Sequence, residues 1–252
     1  MYGRCRRGGQ AKLSTPLLSS GESVLPVERT TVLGGAMTTP RDGSYIWVTW
    51  ITALLAADDQ CEWAAWFRAH FKDFEQPPSD FRLAGWKAAH GEMVRNRAQA
   101  LRAEGWEVYV ENQNKFNLPG RAATLGGVPD IVAVRGSDGL VVDCKSGKQR
   151  DSDAFQVLTY VRVLPLTHPA CKGVTLAGEV QYRESSLRIE PNQLTDELKG
   201  ILRNLIERVG GDTPAVRVPS VAECRFCKIT ATDCPDRIDG EESPADMEHD
   251  LF

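Results

Sequence analysis

Apolar positions recur along this chain with two periods, and the switch between them maps the elements. From Trp47 to Phe74 the period is helical: Trp63, Trp66, Phe67 and Phe71 fall on one stripe. Asp58-Asp59 divides that segment into two predicted helices, and Pro77-Pro78 stops the second. Phe81–Glu104 predicts a longer helix with Trp86, His90, Met93 and Leu101 on one apolar face, and Gly105 ends it. Alternation over Trp106–Val110 reads as a strand leading into Glu111.

Ile131–Val134 and Leu140–Val142 are apolar at every position and rich in β-branched residues, as in strands covered on both faces. Gly136-Ser137-Asp138-Gly139 between them has hairpin-turn chemistry. A helix capped by Asp151, Ser152 or Asp153 follows and is predicted to stop at Leu164, before Pro165. Val174–Tyr182 and Leu187–Ile189 read as a second hairpin. Gln193–Val209 reads as an amphipathic helix with Leu194, Leu198, Ile201, Leu202, Leu205 and Ile206 inward. Residues 1–40 lack a period, are rich in Gly, Ser, Thr and Pro, and read as a disordered extension. Organised sequence begins just after Met37, a candidate start.

The central hairpin has a chemical consequence. With residues 136–139 as the turn, Arg135 faces Leu140, Val132 faces Asp143 and Asp130 faces Lys145. Strand side chains alternate, so Asp130, Asp143 and Lys145 share one face and Cys144 points to the other. Burying two carboxylates and an ammonium is costly unless they are paired or bound to a metal. Two converging carboxylates make a hard-oxygen site suited to Mg²⁺ or Mn²⁺. The plainer alternative is a salt bridge at a strand end. Gln156 and Tyr160, four residues apart, share one face of the next helix.

Composition narrows the class. The 252 residues are 42% hydrophobic and 25% charged, as in an ordinary globular chain, and read as one domain. The basic start is followed by no apolar secretory core, and Tyr45–Ala57 is too short to span a bilayer. A cytoplasmic location with no membrane partner is expected. The net charge of −4 is uneven: Asp236–Phe252 carries seven acids and one Arg, leaving residues 1–235 slightly positive. Nucleic-acid binding would therefore depend on a local patch. Arg4, Arg6 and Arg7 read as part of a solvated tail.

Seven cysteines, an odd number, argue for metal ligation and buried thiols over a disulfide framework. Cys224, Cys227 and Cys234 lie at C-x2-C-x6-C spacing, which suits zinc or an iron–sulfur cluster. A fourth ligand is needed, and spacing alone does not choose among Cys5, Cys61, Cys144 and Cys171.

Pro129-Asp130, then Asp143-Cys144-Lys145, then Gln156-Val-Leu-Thr-Tyr160 together resemble the PD-(D/E)XK nuclease signature with the QxxxY motif of its RecB-like branch. That branch includes helicase–nuclease subunits of the AddB type and the CRISPR-associated iron–sulfur exonucleases. The second acid is Asp here where many relatives have Glu. The resemblance covers roughly residues 45–235. It implies an α/β fold with a mixed central sheet flanked by helices and a nuclease domain over 41–235 including the cysteine module; the acid-rich residues 236–252 read as a disordered tail from their charge. It implies a metal-dependent DNA nuclease, expected to be an exonuclease, in DNA repair, recombination or defence.

The resemblance also implies residue roles. His90, Asp130, Asp143 and the carbonyl of Cys144 would hold Mg²⁺ or Mn²⁺, with Lys145 acting on water or on the developing charge. Gln156 and Tyr160 would position the substrate strand or the metal shell. Cys61 would join Cys224, Cys227 and Cys234 around a [4Fe–4S] cluster, with a structural Zn²⁺ as the alternative. No helicase motif is present, so unwinding would need a partner. A non-catalytic, nucleic-acid-binding or redox-sensing subunit on the same fold is the other functional class. The last residues, Glu-His-Asp-Leu-Phe, faintly resemble the peptides that bind sliding clamps.

Overall fold

The longest apolar runs of the chain form the middle of a mixed sheet. The computed structural model describes residues 38–78 and 83–240, all within one unit, Gly35–Phe252. The elements run β1 (Thr39–Pro40), β2 (Tyr45–Trp47), α1 (Val48–Leu55), α2 (Glu62–His70), β3 (Phe71–Lys72), α3 (Leu83–Ala103) and β4 (Glu107–Val110). Then come β5 (Phe116–Pro119), β6 (Thr124–Gly127), β7 (Ile131–Arg135), β8 (Asp138–Lys145), α4 (Asp151–Thr167), β9 (Thr175–Tyr182), β10 (Ser186–Ile189), α5 (Asp196–Gly210) and α6 (Val221–Arg225). The candidate start Met37, the amino-terminal arginines, Cys5, Phe81 and the clamp-like terminus lie outside the described residues.

The protein is α/β, with mixed sheets flanked by helices. The expected single sheet is instead a five-stranded sheet of order β10-β9-β8-β7-β4, a three-stranded sheet of order β2-β6-β5, and the short pair β1-β3. Thr39 and Pro40, at the edge of the segment read as disordered, pair with Lys72 and Phe71. Strands β8 and β9 are parallel while the other neighbours in the large sheet are antiparallel. A parallel pair needs a crossover, and α4 supplies it.

Because β7 and β8 are apolar on both faces, each face has its own core. Val132 and Val141 pack with Ile51 of α1, Val157, Tyr160 and Leu164 of α4, and Leu202 of α5. Ile131, Ala133, Leu140 and Val142 pack with Val94, Ala98 and Leu101 of α3. A third cluster joins Trp63, Trp66 and Phe67 of α2 to Ile229 near the carboxyl end. Among the described residues no helix is long and apolar enough to cross a membrane.

The structure corrects four local expectations. The β7–β8 turn has two residues, Gly136 and Ser137, so Arg135 faces Asp138 and Val132 faces Val141. Gly136 has φ +62°, a left-handed conformation that glycine adopts freely and that fits such a tight hairpin. The shift is two residues, so face assignments survive while partners change: Asp130 lies beside Asp143 instead of Lys145. Second, α4 runs through Pro165 to Thr167. Buried Leu164 anchors the last turn, and its carbonyl accepts from the His168 N–H at 2.8 Å, so only the bond lacking at proline is lost. Third, Trp86 is 42% exposed because the first turns of α3 project past the core. Fourth, α5 starts at Asp196, capped by Thr195, and buries Leu202, Leu205 and Val209 while Ile201 is 49% exposed.

Candidate active site

Strand β8 carries Asp143 and Lys145 on the face that looks toward α4, and Asp130 stands just before β7. The carboxylate of Asp130 accepts from the Cys144 N–H at 2.7 Å, which fixes it across the strand from Asp143. The backbone at Asp130 is itself held. Its carbonyl accepts from the Glu111 N–H at 2.8 Å, and Glu111 adopts φ +48° to deliver that bond. The side-chain amide of Asn114, fully buried, donates to the carbonyls of Tyr109 and Pro129 at 3.1 Å each. Asn114 carries no recognisable signal in the sequence, because its partners lie on two other segments.

From α4, Gln156 ties the site together. Its amide nitrogen donates to Asp143 Oδ1 at 2.9 Å and to the Tyr160 hydroxyl at 3.0 Å, and its oxygen accepts from Lys145 Nζ at 2.8 Å. An ammonium can only donate and a carboxylate can only accept, so this arrangement admits one orientation of the amide. Lys145 Nζ also lies 2.9 Å from Asp143 Oδ2, an ion pair off the hydrogen-bonding direction, and 3.7 Å from Asp153 Oδ1. Asp153, expected only as a helix cap, accepts from the Arg150 N–H at 3.1 Å and from the Tyr182 hydroxyl at 3.0 Å. Gly127 of β6 leaves room for the network: a Cβ there would meet the Phe116 ring at 2.7 Å and the Tyr160 ring at 3.0 Å.

Burial sets the charges. Asp143 is 3% exposed, and its pKa is pushed up to about 6 by desolvation, with the Lys145 ammonium opposing and the Asp130 charge reinforcing the rise. Burial works against the charge on Lys145, but Asp143, Asp153 and Asp130 outweigh it and hold the ammonium above its ordinary pKa. Tyr160 is raised by burial first and by the Asp143 charge second, so its hydroxyl stays neutral. His90 of α3 is raised by its hydrogen bond to Asp130, the two atoms 3.2 Å apart, with burial opposing. The Trp86 ring stacks on His90 at 5.1 Å and 12°.

Trp47, Trp86, His90, Asp130, Asp143 and Lys145 are among the residues lining one cavity of about 360 Å³. Within it, His90 Nδ1 and Asp143 Oδ2 are buried and form no hydrogen bond among the described residues. Two carboxylates, an imidazole and the Cys144 carbonyl form a donor set that fits a divalent cation. Among the described residues no three His, Cys, Asp or Glu side chains are gathered tightly enough to hold a metal as they stand. In this site, Asp130 is turned toward Cys144 and His90.

The cysteines separate cleanly. All six that are described are free thiols. Cys144 packs into the core on the α3 side of the sheet, and Cys171 is buried after α4. Cys61, at the start of α2, lines a second cavity of about 330 Å³ together with Cys224, Cys227 and Cys234. Glu223 of α6 draws the two segments together, accepting from the N–H groups of Gln60 at 2.8 Å and Cys61 at 3.2 Å. Burial raises the Cys227 and Cys234 thiols, with nearby Arg side chains partly opposing.

Comparison with known proteins adds one strong result and one weak one. None of the curated proteins matches the chain. The crystal structure of SSO0001 is similar over 80% of this chain and 91% of that one, with 14% sequence identity and a TM-score of 0.42. The sequence pattern of the PD-(D/E)XK nuclease superfamily matches residues 49–232, which takes in β7, β8 and the α4 residues around them. That stretch is well over half of the sequence, and the chain therefore belongs to the PD-(D/E)XK nuclease superfamily.

Proposed function

We propose that the protein hydrolyses phosphodiester bonds of DNA at the cavity between β8, α3 and α4. The observation that carries this reading is the gathering of Asp130, Asp143, Lys145 and Gln156 on one cavity, with Gln156 bonded to both Asp143 and Lys145 and Asp130 held by the Cys144 N–H. Asp130, Asp143, His90 and the Cys144 carbonyl are the residues that would hold Mg²⁺ or Mn²⁺. When bound, such a cation polarises a phosphate oxygen and lowers the pKa of an attacking water. Lys145 remains protonated and donates toward charge developing on the phosphate oxygens. Gln156 and Asp153 keep that ammonium aimed into the cavity. Tyr160 acts through Gln156, fixing the amide that orients Asp143.

Superfamily membership supports nuclease chemistry and a nucleic-acid substrate. The RecB-like affiliation, the exonuclease mode and a helicase partner belong to this proposal, on the strength of the Gln156 and Tyr160 spacing. So does a [4Fe–4S] cluster on Cys61, Cys224, Cys227 and Cys234. The four thiols line one cavity, which supports a shared metal group, with a structural Zn²⁺ as the alternative to the cluster. Metal analysis of anaerobically purified protein separates iron with sulfide from zinc. The activity test is incubation with Mn²⁺ of end-labelled linear DNA and of circles. Degraded linear DNA with intact circles fits an exonuclease; both substrates surviving, with each cation and on single and double strands, overturns the proposal.

A further inference from the structure

The cysteine cavity contains a cation with no assigned work. Cys61, just before α2, and Arg68, on its last turns, are seven residues apart and line the cavity together with Trp63, Ala64 and Ala65. The small alanines leave space between the thiol and the guanidinium. Arg68 Nε donates to the Ala64 carbonyl at 3.0 Å, and its guanidinium carbon lies 5.2 Å from the Trp50 ring centroid. Among the described residues no carboxylate comes within ion-pair distance of it.

The other charges on the cavity wall are already engaged or exposed. Arg217 pairs with Asp236 at 3.1 Å. Arg237 pairs with Asp239 and donates to the carbonyls of Cys227 and Ile229. Glu223 holds the backbone of Gln60 and Cys61. Lys228, Asp58 and Asp59 are exposed. Burial lowers the Arg68 pKa, and Cys227, Asp59 and Cys61 partly offset it. Arg68 is half-buried, and a partly desolvated guanidinium without a carboxylate is costly unless its surroundings carry negative charge. Four protonated thiols carry none. Four thiolates on a zinc ion, or on a cluster core of charge 2+, leave a group with a net charge of about −2.

We propose that Arg68 is the counter-charge of a thiolate-bound metal group in this cavity, retaining it electrostatically without being a ligand. The inference rests on reading Cys61, Cys224, Cys227 and Cys234 as one ligand set. The test compares wild-type, Arg68→Met and Arg68→Lys proteins purified without oxygen, by iron and zinc content and by the rate of metal loss to a chelator. Arg68→Met should arrive with less metal and lose it several-fold faster, while Arg68→Lys stays near wild type. If the metal is iron, the Arg68→Met reduction potential should shift to more negative values, because the reduced cluster carries an additional negative charge. The melting temperatures of the metal-free proteins serve as the control. A purely structural role would lower that of Arg68→Met, and an equal fall in metal-free stability overturns the proposal. Wild-type protein free of iron and zinc overturns the ligand set and this inference with it. Metal-bearing wild type with unchanged release from Arg68→Met overturns the role of Arg68 alone.

Discussion

The two cavities are built in opposite ways. The acid cavity rests on the sheet, with α1, α3 and α4 completing its walls: Asp130 and Asp143 flank a ladder whose apolar residues are almost wholly buried, and each acid is already held by protein groups. No strand lines the cysteine cavity: its walls are α1, α2, the connection between them and the carboxyl-terminal segment 211–240, whose only helix among the described residues, α6, has five residues. That segment is fastened by single bonds, such as Trp63 N–H to the Val216 carbonyl at 3.1 Å and Trp66 Nε1 to the Gly211 carbonyl at 2.8 Å. A reaction centre gains from geometry fixed before the substrate arrives. A binding site for a structural group can be completed by the group itself.

Changes that break this contrast should differ in kind as well as in size. Asp143→Ala should remove metal-dependent cleavage, by at least about 10³-fold, with unchanged circular dichroism. Wild-type-like cleavage by that variant rejects the assignment. Gln156→Leu removes the donor to Asp143 and the acceptor for Lys145 together. It should cut kcat by about 10²-fold, and destabilisation of about 1–3 kcal/mol should appear in denaturant unfolding, the scale for unsatisfied buried polar groups. Cys227→Ser should act elsewhere: hydrogen exchange should speed up across 211–240 and in α2 while β7 and β8 keep their protection. Equal loss of protection in both regions would dissolve the contrast.

A pH series sharpens it further, with the smallest effect. The folded pKa of Asp143 is raised to about 6, above its unfolded value, so the metal-free fold binds the proton more tightly than the unfolded chain. This contribution is fully present below the unfolded pKa and is lost as pH rises through about 6. The melting temperature of metal-free protein should therefore fall by a few degrees across that range, and added Mg²⁺ should restore more at pH 8 than at pH 5. Asp143→Asn should flatten the dependence. His168 acts in the other direction. Its pKa is lowered by burial, so its contribution is present above the unfolded value and lost as pH falls through the folded one.

The sequence made the two-strand frame legible because β7 and β8 are apolar on both faces, a pattern few other elements share. It placed Asp130, Asp143 and Lys145 on one face despite the wrong turn, since a two-residue slip preserves alternation. The partner across the strand was not legible, because turn length depends on whether Asp138 and Gly139 join the ladder. Asn114 and Asp153 stayed hidden for another reason: their partners are backbone carbonyls and a tyrosine brought near only by the fold. Trp86 and Ile201 sit on stripes that read as apolar, yet both side chains are exposed. Periodicity reports which face of a helix is greasy, and it cannot report how far the covering layer extends.

The grip of Glu223 on Gln60 and Cys61 spans more than 160 positions of the chain. During synthesis, β7, β8 and α4 leave the ribosome well before this glutamate does. The acid cavity can therefore take shape while the aromatic face of α2 still waits for Ile229 to cover it. A product cut short after Gly210 would retain Asp130, Asp143, Lys145, Asp153 and Gln156, yet expose Trp63 and Phe67 to solvent, an invitation to aggregation or to quality-control proteases.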